Sequence, residues 1–316
     1  KKKEKMKLNY NDIKFIINEA TAQLMKEGIG INQFPKYGYC LIMAGGSGSG
    51  KSTLLSTGLD IQGKFFNIDD FRDDIEHLRR EKGVFNAKSF KTWKDKVSKE
   101  TNHNNIMTFL NAQTNVKNNI IIDTTARDTK GVIELIDTIK SYGYKIGFLW
   151  VITNRNVAIQ RNIKRGDTPN RYGYKGRQVP DSGLHSTHNS VNTKVPKLLT
   201  SSDANLIDDA WIVFSSGKNL NDTEIPKTIS LQKTTKGFEI PSETLDFVKQ
   251  VLGPREVYTG NKGKTQTYLS SDEIKKMMAN GEEPNDYLRQ IEEGIEWSND
   301  NGTINLKINS KTDDES

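Results

Sequence analysis

One short segment of the chain combines glycines, a lysine and hydroxyl side chains in the order that binds nucleotide phosphates. Residues 44–53 read AGGSGSGKST, which contains Gly-x4-Gly-Lys-Ser. In such a loop backbone N–H groups surround the phosphates, the lysine contacts the β- and γ-phosphates and the hydroxyl binds Mg²⁺. Glycine lets the backbone approach the phosphates without a Cβ atom in the way. The pattern predicts a nucleotide site made of Gly45, Gly46, Ser47, Gly48, Ser49, Gly50, Lys51, Ser52 and Thr53.

The residues around this loop place it between a strand and a helix. The apolar run 39–43 predicts a buried strand, and residues 53–56 can begin a helix. Downstream, apolar runs alternate with helical patterns as far as residue 214. This alternation predicts a parallel sheet with right-handed crossovers. We expect an α/β fold of the three-layer P-loop NTPase type, in its kinase form, with a central parallel sheet and a small α+β C-terminal appendage.

Changes in pattern divide the chain of 316 residues into three parts. Residues 1–36 predict a tail and an amphipathic helix, residues 37–219 the P-loop kinase domain, and residues 220–316 an appendage of unknown role. A single long helix is predicted over 86–116. In the appendage we expect a polar hairpin and three helices, over 225–240, 242–252, 271–278 and 285–293.

Composition argues against several classes of protein. The chain has no apolar run of 18 residues and no signal-peptide pattern, so we expect a cytoplasmic protein without a membrane partner. If the chain is encoded by a phage, the host cytoplasm or the virion is the corresponding location. The single cysteine, Cys40, lies in the first predicted strand and cannot form a disulfide within the chain. The net charge of +6 is compatible with a polyanionic partner but does not require one.

Acidic residues follow the next predicted strand, at the sheet edge where ligands of parallel sheets bind. Asp69, Asp70 and Arg72 come directly after residues 64–68. Phosphoryl transfer to a hydroxyl needs a carboxylate that orients the hydroxyl and accepts its proton. We interpret Asp70 as this base and Asp69 as the alternative. Capping of the following helix explains one of the two without catalysis.

Two further groups fit the same site. Asp123 follows three isoleucines and has the position of a carboxylate that holds Mg²⁺ together with Ser52; capping of the strand end is the alternative. Arg161 and Arg165 are four residues apart and so share a helix face. Because a Gly-rich segment follows, they predict a lid that clamps the phosphates of ATP. A solvated helix face is the other interpretation of this pair.

Two histidines and two tyrosines near this lid have less definite interpretations. His185 and His188 lie three apart without a third ligand in view, which disfavours zinc. His188 is expected to line the acceptor pocket or to pack in the core. Tyr172 and Tyr174 could stack on a base or pack the lid against the domain.

Together these motifs resemble the zeta-toxin and polynucleotide 5′-kinase branch of P-loop kinases. The likeness spans about residues 37–215 and includes, besides the loop, Asp-Asp-x-Arg at 69–72 and Gly-Arg-x-Val-Pro at 176–180. It implies ATP and Mg²⁺ as cofactors, with Lys51 and Ser52 at the phosphates and Asp70 as the base. It also implies acceptor binding by Arg72, and we expect Asp69 and Arg177 to contact the acceptor as well. The lid cations that it implies are Arg161, Arg165 and Arg177.

The resemblance leaves the acceptor open. Zeta toxins phosphorylate a UDP-sugar, polynucleotide kinases use a 5′-hydroxyl of DNA or RNA, and related phage kinases act on modified bases. Residues 123–125 read Asp-Thr-Thr where polynucleotide kinases usually have Asp-Asn-Thr, and residues 220–316 contain no Asp-x-Asp-x-Thr phosphatase motif. We expect a kinase that acts on a hydroxyl of a nucleic acid or of a nucleotide or UDP-sugar metabolite.

Two other functions are compatible with parts of the sequence. The chain could be a non-catalytic nucleotide-binding structural or assembly protein, such as a virion component, that binds a protein partner through residues 220–316. An ATPase motor is disfavoured, because a threonine and not an acidic residue follows Asp123.

Overall fold

The computed structural model describes residues 34–57, 62–113, 117–215, 227–252, 269–282, 295–300 and 303–308. The helices predicted within 1–36 and over 285–293 lie outside these residues. The strands are β1 (Tyr39–Gly45), β2 (Lys64–Asn67), β3 (Ile120–Thr124), β4 (Lys145–Ile152), β5 (Asp209–Phe214), β6 (Lys227–Ser230), β7 (Gln232–Thr234), β8 (Gly237–Glu239), β9 (Ile295–Asp300) and β10 (Thr303–Ile308). The α-helices are α1 (Lys51–Thr57), α2 (Ile68–Glu81), α3 (Ala87–Lys96), α4 (Ser98–Asn111), α5 (Thr129–Ser141), α6 (Arg155–Asp167), α7 (Asp181–Leu199), α8 (Ser242–Leu252) and α9 (Ser271–Ala279).

A six-stranded sheet with the order β2-β3-β1-β4-β5-β6 forms the centre of the described structure. Strands β1 to β5 pair in parallel, and β6 pairs antiparallel to β5. The chain moves from β1 outward to one side and later to the other, so crevices open beyond the carboxyl end of β1. The predicted α/β class with a mostly parallel central sheet is confirmed.

The strands are apolar on both faces because helices cover both sides of the sheet. Within β1, Ile42 belongs to one buried cluster, together with Trp150, and Leu41 belongs to the cluster on the opposite face, together with Trp211. Cys40 is fully buried in the first cluster, and burial raises the pKa of its thiol. The cysteine is therefore a small apolar core residue.

The single helix predicted over 86–116 is two helices, α3 and α4, separated at Val97. The backbone of Val97 has φ −107° and ψ −30°, and Arg72 from α2 bonds both sides of the break. Its Nε donates to Ser98 Oγ at 3.0 Å and its Nη2 donates to the Lys94 carbonyl oxygen at 3.1 Å. A side chain from another helix thus holds the junction, which local sequence patterns do not show.

The sheet and core continue beyond residue 219, where the sequence predicts the end of the kinase domain. Strand β6 extends the central sheet, whereas β7 pairs with β8 in a separate two-stranded sheet. Phe247 of α8 is fully buried in the cluster that contains Ile42. Ile274 of α9 packs with Ile159 and Ile163 of α6. These parts of 220–316 therefore pack as part of the domain. Strands β9 and β10 pair antiparallel with each other. No helix among the described residues has both the length and the apolar character needed to cross a bilayer.

Candidate active site

The glycine-rich loop connects β1 to α1 and needs glycine for more than one reason. Gly48 and Gly50 have φ angles of 75° and 88°, which residues with a Cβ atom rarely adopt. A Cβ atom at Gly46 would lie 2.4 Å from the ring of His188, and one at Gly48 would lie 2.4 Å from the carbonyl oxygen of Ala158. Glycine is therefore needed here because of the backbone conformation and the close packing behind the loop, as well as for the close approach of a phosphate.

Lys51 begins α1 and folds its side chain back across the loop. Its Nζ donates to the carbonyl oxygens of Gly45 at 3.0 Å and Gly46 at 3.2 Å. The same nitrogen lies 3.6 Å from Oδ1 of Asp123. The ammonium group is thus held at the mouth of the loop, where a phosphate-loop lysine contacts the β- and γ-phosphates.

Asp123, at the end of β3, lies against the loop and does not cap its own strand. Its Oδ2 accepts from Ser52 Oγ at 3.4 Å and from Asn67 Nδ2 at 3.3 Å. Burial raises the pKa of the Asp123 carboxyl, and the nearby Lys51 and Ser52 partly oppose this. Mg²⁺ prefers oxygen ligands and usually takes one or two from protein together with phosphate oxygens. The hydroxyl of Ser52 beside the carboxylate of Asp123 fits that requirement.

Asp69 lies at the centre of a cluster of arginines from α2, α6 and the segment 168–180. Arg177 Nη1 and Arg72 Nη1 lie 2.6 and 3.4 Å from its Oδ1, and Arg165 Nη2 lies 3.2 Å from its Oδ2. Burial alone would raise the pKa of Asp69, but these guanidinium groups outweigh burial and lower it. The Asp69 carboxylate therefore stays charged well below neutral pH.

Asp70 has different surroundings from those of Asp69. It lines a cavity that the glycine-rich loop also borders. Among the residues that the structure describes, no side chain bonds its carboxylate. Burial raises the pKa of this group; Arg171 opposes the change, and neighbouring carboxylates add to it. The helix cap is a third residue, Asn67, whose Oδ1 accepts from the backbone N–H of Asp69 at 2.8 Å. Side-chain capping of α2 therefore explains neither aspartate.

Arg161 and Arg165 lie one turn apart on α6 and both line the cavity, but they have different partners. Arg161 Nη1 donates to the Gly48 carbonyl oxygen at 3.3 Å and to Ser215 Oγ at 3.1 Å. Arg165 reaches Asp69 on the opposite side of the cavity. Both guanidinium groups thus bond groups of the protein, which a merely solvated helix face would not require.

The segment 168–180 crosses from α6 to α2 and is packed there by its tyrosines. The ring of Tyr172 stacks on His77 with centroids 4.0 Å apart, and the hydroxyl of Tyr174 lies 3.0 Å from Nδ1 of His77. Both tyrosines thus hold the segment against α2, and stacking on a nucleotide base is not needed to explain them. Arg177, on the same segment, joins Asp69 to Asp73, with Nη2 2.5 Å from Oδ1 of Asp73.

Three residues expected to bind the acceptor do not line the described cavity, and one of them, Arg177, pairs with Asp69 and Asp73. Arg72 holds the junction of α3 and α4 and is absent from the lining of the described cavity. His188 is 2% exposed, and its Nε2 lies 2.7 Å from the carbonyl oxygen of Ser47, behind the loop. The second of its two expected positions, packing in the interior, is the one found. The described residues also hold no group of three or more His, Cys, Asp and Glu side chains suited to a metal ion.

The loop, the acidic pair and the end of β3 face one cavity of about 1160 Å³. Part of the cavity lining consists of basic side chains. The sequence did not predict them at the site, because no motif marks them. They come from α4, from the turn after β3 and from α7: Lys99, His103, Arg127 and Lys194. The helical spacing of Lys99, His103 and Ile106 is the signal that could have grouped part of this surface.

Comparison with known proteins adds the following findings. A family model described as Zeta toxin matches residues 25–220, more than half of the chain. No curated protein gave a significant match. The solved complex AvrRxo1-ORF1:-ORF2 with ATP is similar in fold, with 12% identity and a TM-score of 0.50, over 78% of this chain and 73% of that chain. The PezAT toxin–antitoxin system of Streptococcus pneumoniae shows 13% identity and a TM-score of 0.36, over 66% of this chain and 79% of that chain.

Proposed function

The chain belongs to the zeta toxin family, and on this premise we propose that it is a kinase that transfers the γ-phosphoryl group of ATP to a hydroxyl. One observation carries the proposal: Lys51, Ser52 and Asp123 meet at the glycine loop, and the acidic pair of α2 lines the same cavity. Phosphoryl transfer depends mainly on positioning and on cations around the phosphoryl group. Both requirements are met by side chains of this cavity.

Each side chain has a role that follows from its position. Backbone N–H groups of the loop and the ammonium group of Lys51 bind the phosphates. Mg²⁺, held through Ser52 and Asp123, would neutralise phosphate charge. Arg165 lies at the cavity, and Arg177 shares its partner Asp69. Guanidinium groups placed in this way stabilise the charge that develops on a transferred phosphoryl group.

The acidic pair supplies the group that orients the acceptor hydroxyl and accepts its proton. Asp70 is the base in our proposal because it lines the cavity, its carboxylate has no bonded side-chain partner among the described residues, and burial raises its pKa. A raised pKa brings a carboxylate closer to the operating pH of a general base. Asp69 is the second candidate, since it contacts the arginines that would surround the phosphoryl group.

The basic part of the cavity favours an acceptor that itself carries negative charge. Lys99, Arg127 and Lys194 bring three cations to the cavity lining, against one further carboxylate, that of Asp128. Ligand cavities usually measure roughly 300–1,000 Å³, so a cavity of about 1160 Å³ can hold ATP beside a second small molecule. We therefore favour a nucleotide or nucleotide-sugar acceptor, with the end of a nucleic acid as the alternative.

Transfer of label from γ-labelled ATP in the presence of Mg²⁺ tests the proposal. The acceptors are nucleotides, UDP-sugars, 5′-hydroxyl DNA and hydroxymethylated DNA. We expect labelling of an anionic acceptor, and a loss of at least about 100-fold in Lys51→Ala because the phosphates lose a preorganised cation. Lys130→Ala is the matched control, since the Lys130 side chain is 88% exposed and paired only on the surface of α5.

The contrary result would be wild-type protein that labels no acceptor and behaves like Lys51→Ala. Binding of ATP without transfer would then favour the non-catalytic role. The described parts of 220–316 do not favour that role, because α8 and α9 pack on the domain itself. A protein partner that binds elsewhere in 220–316 is a separate proposal, checked by co-purification with the full chain and with a Lys51→Ala chain.

A further inference from the structure

The carbonyl oxygens of the glycine loop are each bonded by the protein. Gly45 and Gly46 accept from Lys51 Nζ, and Gly48 accepts from Arg161. The carbonyl of Gly50 accepts from the backbone N–H of Leu54 in α1, and the two that remain accept from residues to which the catalytic proposal gives no role. Ser47 O lies 2.7 Å from Nε2 of His188, and Ser49 O accepts from Oγ1 of Thr153 at 2.9 Å.

Bonds to these carbonyls determine where the loop N–H groups point. A peptide unit is planar and trans, so its N–H points away from its C=O. The carbonyl of Ser47 shares a peptide unit with the N–H of Gly48, and the carbonyl of Ser49 shares one with the N–H of Gly50. Donors that hold the two carbonyls outward therefore turn the N–H groups of both glycines inward, toward the phosphates.

His188 is suited to such a position because it is rigid and uncharged. It is 2% exposed on α7, and its ring lies against the backbone of Gly46. Burial lowers the pKa of the imidazole to about 4, so the ring is neutral at physiological pH. Since a carbonyl oxygen can only accept, Nε2 must carry the single ring hydrogen. An uncharged donor behind the loop acts on the phosphates through geometry and not through direct charge attraction.

Thr153 holds the loop from a second side. It follows β4 directly, and its side chain is 1% exposed. Its hydroxyl is buried against Ser49 O, so removal of the hydroxyl would leave that carbonyl without this donor in a region that water does not reach.

We propose that His188 and Thr153 are positioning residues of the nucleotide site, which hold the Ser47 and Ser49 carbonyls outward and thereby aim the N–H groups of Gly48 and Gly50 at the phosphates. The inference rests on the proposed function only in that the loop binds a nucleotide. It does not depend on the acceptor, nor on which aspartate is the base.

Direct binding of Mg-ATP and Mg-ADP, measured by calorimetry on the full chain, tests the proposal. Thr153→Val and His188→Leu each remove one donor at nearly constant volume, whereas Thr153→Ser and His188→Gln keep a donor. We expect Kd to rise roughly tenfold in the first pair and to stay within about threefold in the second, as the loss or retention of one buried hydrogen bond predicts. The control is Val195→Ala, a buried α7 position two turns beyond His188.

The melting temperature of each variant separates positioning from general stability. If Val195→Ala, with an equal loss of Tm, weakens ATP binding as much as His188→Leu does, the proposal is overturned. It is also overturned if His188→Leu and Thr153→Val bind ATP like wild type. If His188→Leu does not fold, the Thr153 pair decides, because Thr153→Val replaces the hydroxyl by a methyl group, whereas Thr153→Ser keeps the hydroxyl and loses only the methyl group. Absence of ATP binding in the wild type, unchanged in Lys51→Ala, would instead refute the proposed function itself.

Discussion

At the scale of single residues, the acidic pair of α2 shows how neighbours in sequence acquire opposite properties. Asp69 is surrounded by three guanidinium groups, and its pKa is lowered. Asp70 is half-buried beside other carboxylates, and its pKa is raised. The two positions differ by about 100° around the helix, so Asp69 meets three arginines, while Asp70 lines the same cavity without a bonded side-chain partner among the described residues.

This difference leads to a prediction for the two amide variants. We expect Asp70→Asn to lower kcat by at least about 100-fold with little change in the affinity for ATP, because the amide cannot accept the hydroxyl proton. Asp69→Asn should affect kcat less and the melting temperature more, since three arginines lose a charged partner. Steady-state kinetics and thermal melts of both variants check this. A larger kcat loss in Asp69→Asn would assign the base to Asp69.

A second prediction at this scale concerns pH and His188. Burial lowers the pKa of its imidazole to about 4, and positive charge from Arg155, Lys51 and His185 acts in the same direction, while the bond to Ser47 opposes it. The fold therefore favours the neutral ring. The stability that this preference gives the folded protein is fully present above the unfolded pKa of about 6.5. It should be lost as pH falls from about 6.5 toward 4.

Thermal melts between pH 7.5 and pH 4 check this prediction. Wild type should lose more stability over that window than His188→Gln, which has no group that titrates at this position. Identical pH profiles for the two proteins would mean that the imidazole does not have a lowered pKa.

At the scale of elements, the segment 168–180 depends on a close crossing over α6. A Cβ atom at Gly176 would lie 1.9 Å from the carbonyl oxygen of Arg165 and 2.2 Å from that of Thr168. Next to it, the side chain of Asn162 bonds the backbone of Val179 twice, at 2.7 and 2.9 Å. The crossing therefore sets the position from which Arg177 reaches Asp69.

We predict that Gly176→Ala displaces this segment and lowers kcat, with a destabilisation of about 1–3 kcal/mol, as is typical of an overpacked site. Gly183→Ala is the matched control, because a Cβ atom at Gly183 on α7 would meet only a Val179 methyl group at 3.3 Å. Urea unfolding together with the transfer assay checks both effects. Equal behaviour of the two variants would show that the crossing is less tight than the structure indicates.

At the scale of the whole molecule, elements that the structure describes beyond residue 219 pack on the sheet and helices that carry the site. Strand β6 borders the sheet, and Phe247 of α8 packs on Phe214 of β5 with ring centroids 4.8 Å apart. Helix α9 covers α6 through Ile274, and the N–H of Ser271 donates to Asp181 at the start of α7 at 2.9 Å. Helix α6, which carries Arg161 and Arg165, is thus supported from behind by residues far along the chain.

We predict that Ile274→Ala lowers the free energy of unfolding by about 2–5 kcal/mol, the range for deletion of a buried isoleucine side chain. Ile274 is fully buried, whereas the adjacent Lys275 is exposed, so Lys275→Ala should change stability by less than about 0.5 kcal/mol. Denaturant titration of the full chain measures both. An unchanged stability in Ile274→Ala would show that α9 is not docked on α6 in solution.

The alternation of apolar and helical patterns was sufficient to predict the class of fold, because buried parallel strands such as β3 are apolar at consecutive positions. Two features required tertiary contacts and were not predictable. The break at Val97 depends on Arg72 from another helix, and β6 is a short polar strand that exists because β5 offers an unpaired edge. The nucleotide loop could be predicted from its own residues, since it is local. The contacts of Asp69 with Arg165 and Arg177, and that of His188 with Ser47, could not, because these partners come from elements far away in the chain.

The contact between the ring of His188 and Gly46 links two positions that are remote in sequence. A methyl group at position 46 has no room while the imidazole is present. Substitutions at these two sites are therefore expected to be non-additive in a double-mutant cycle. Descendants of this chain could exchange Gly46 only after, or together with, an exchange of His188.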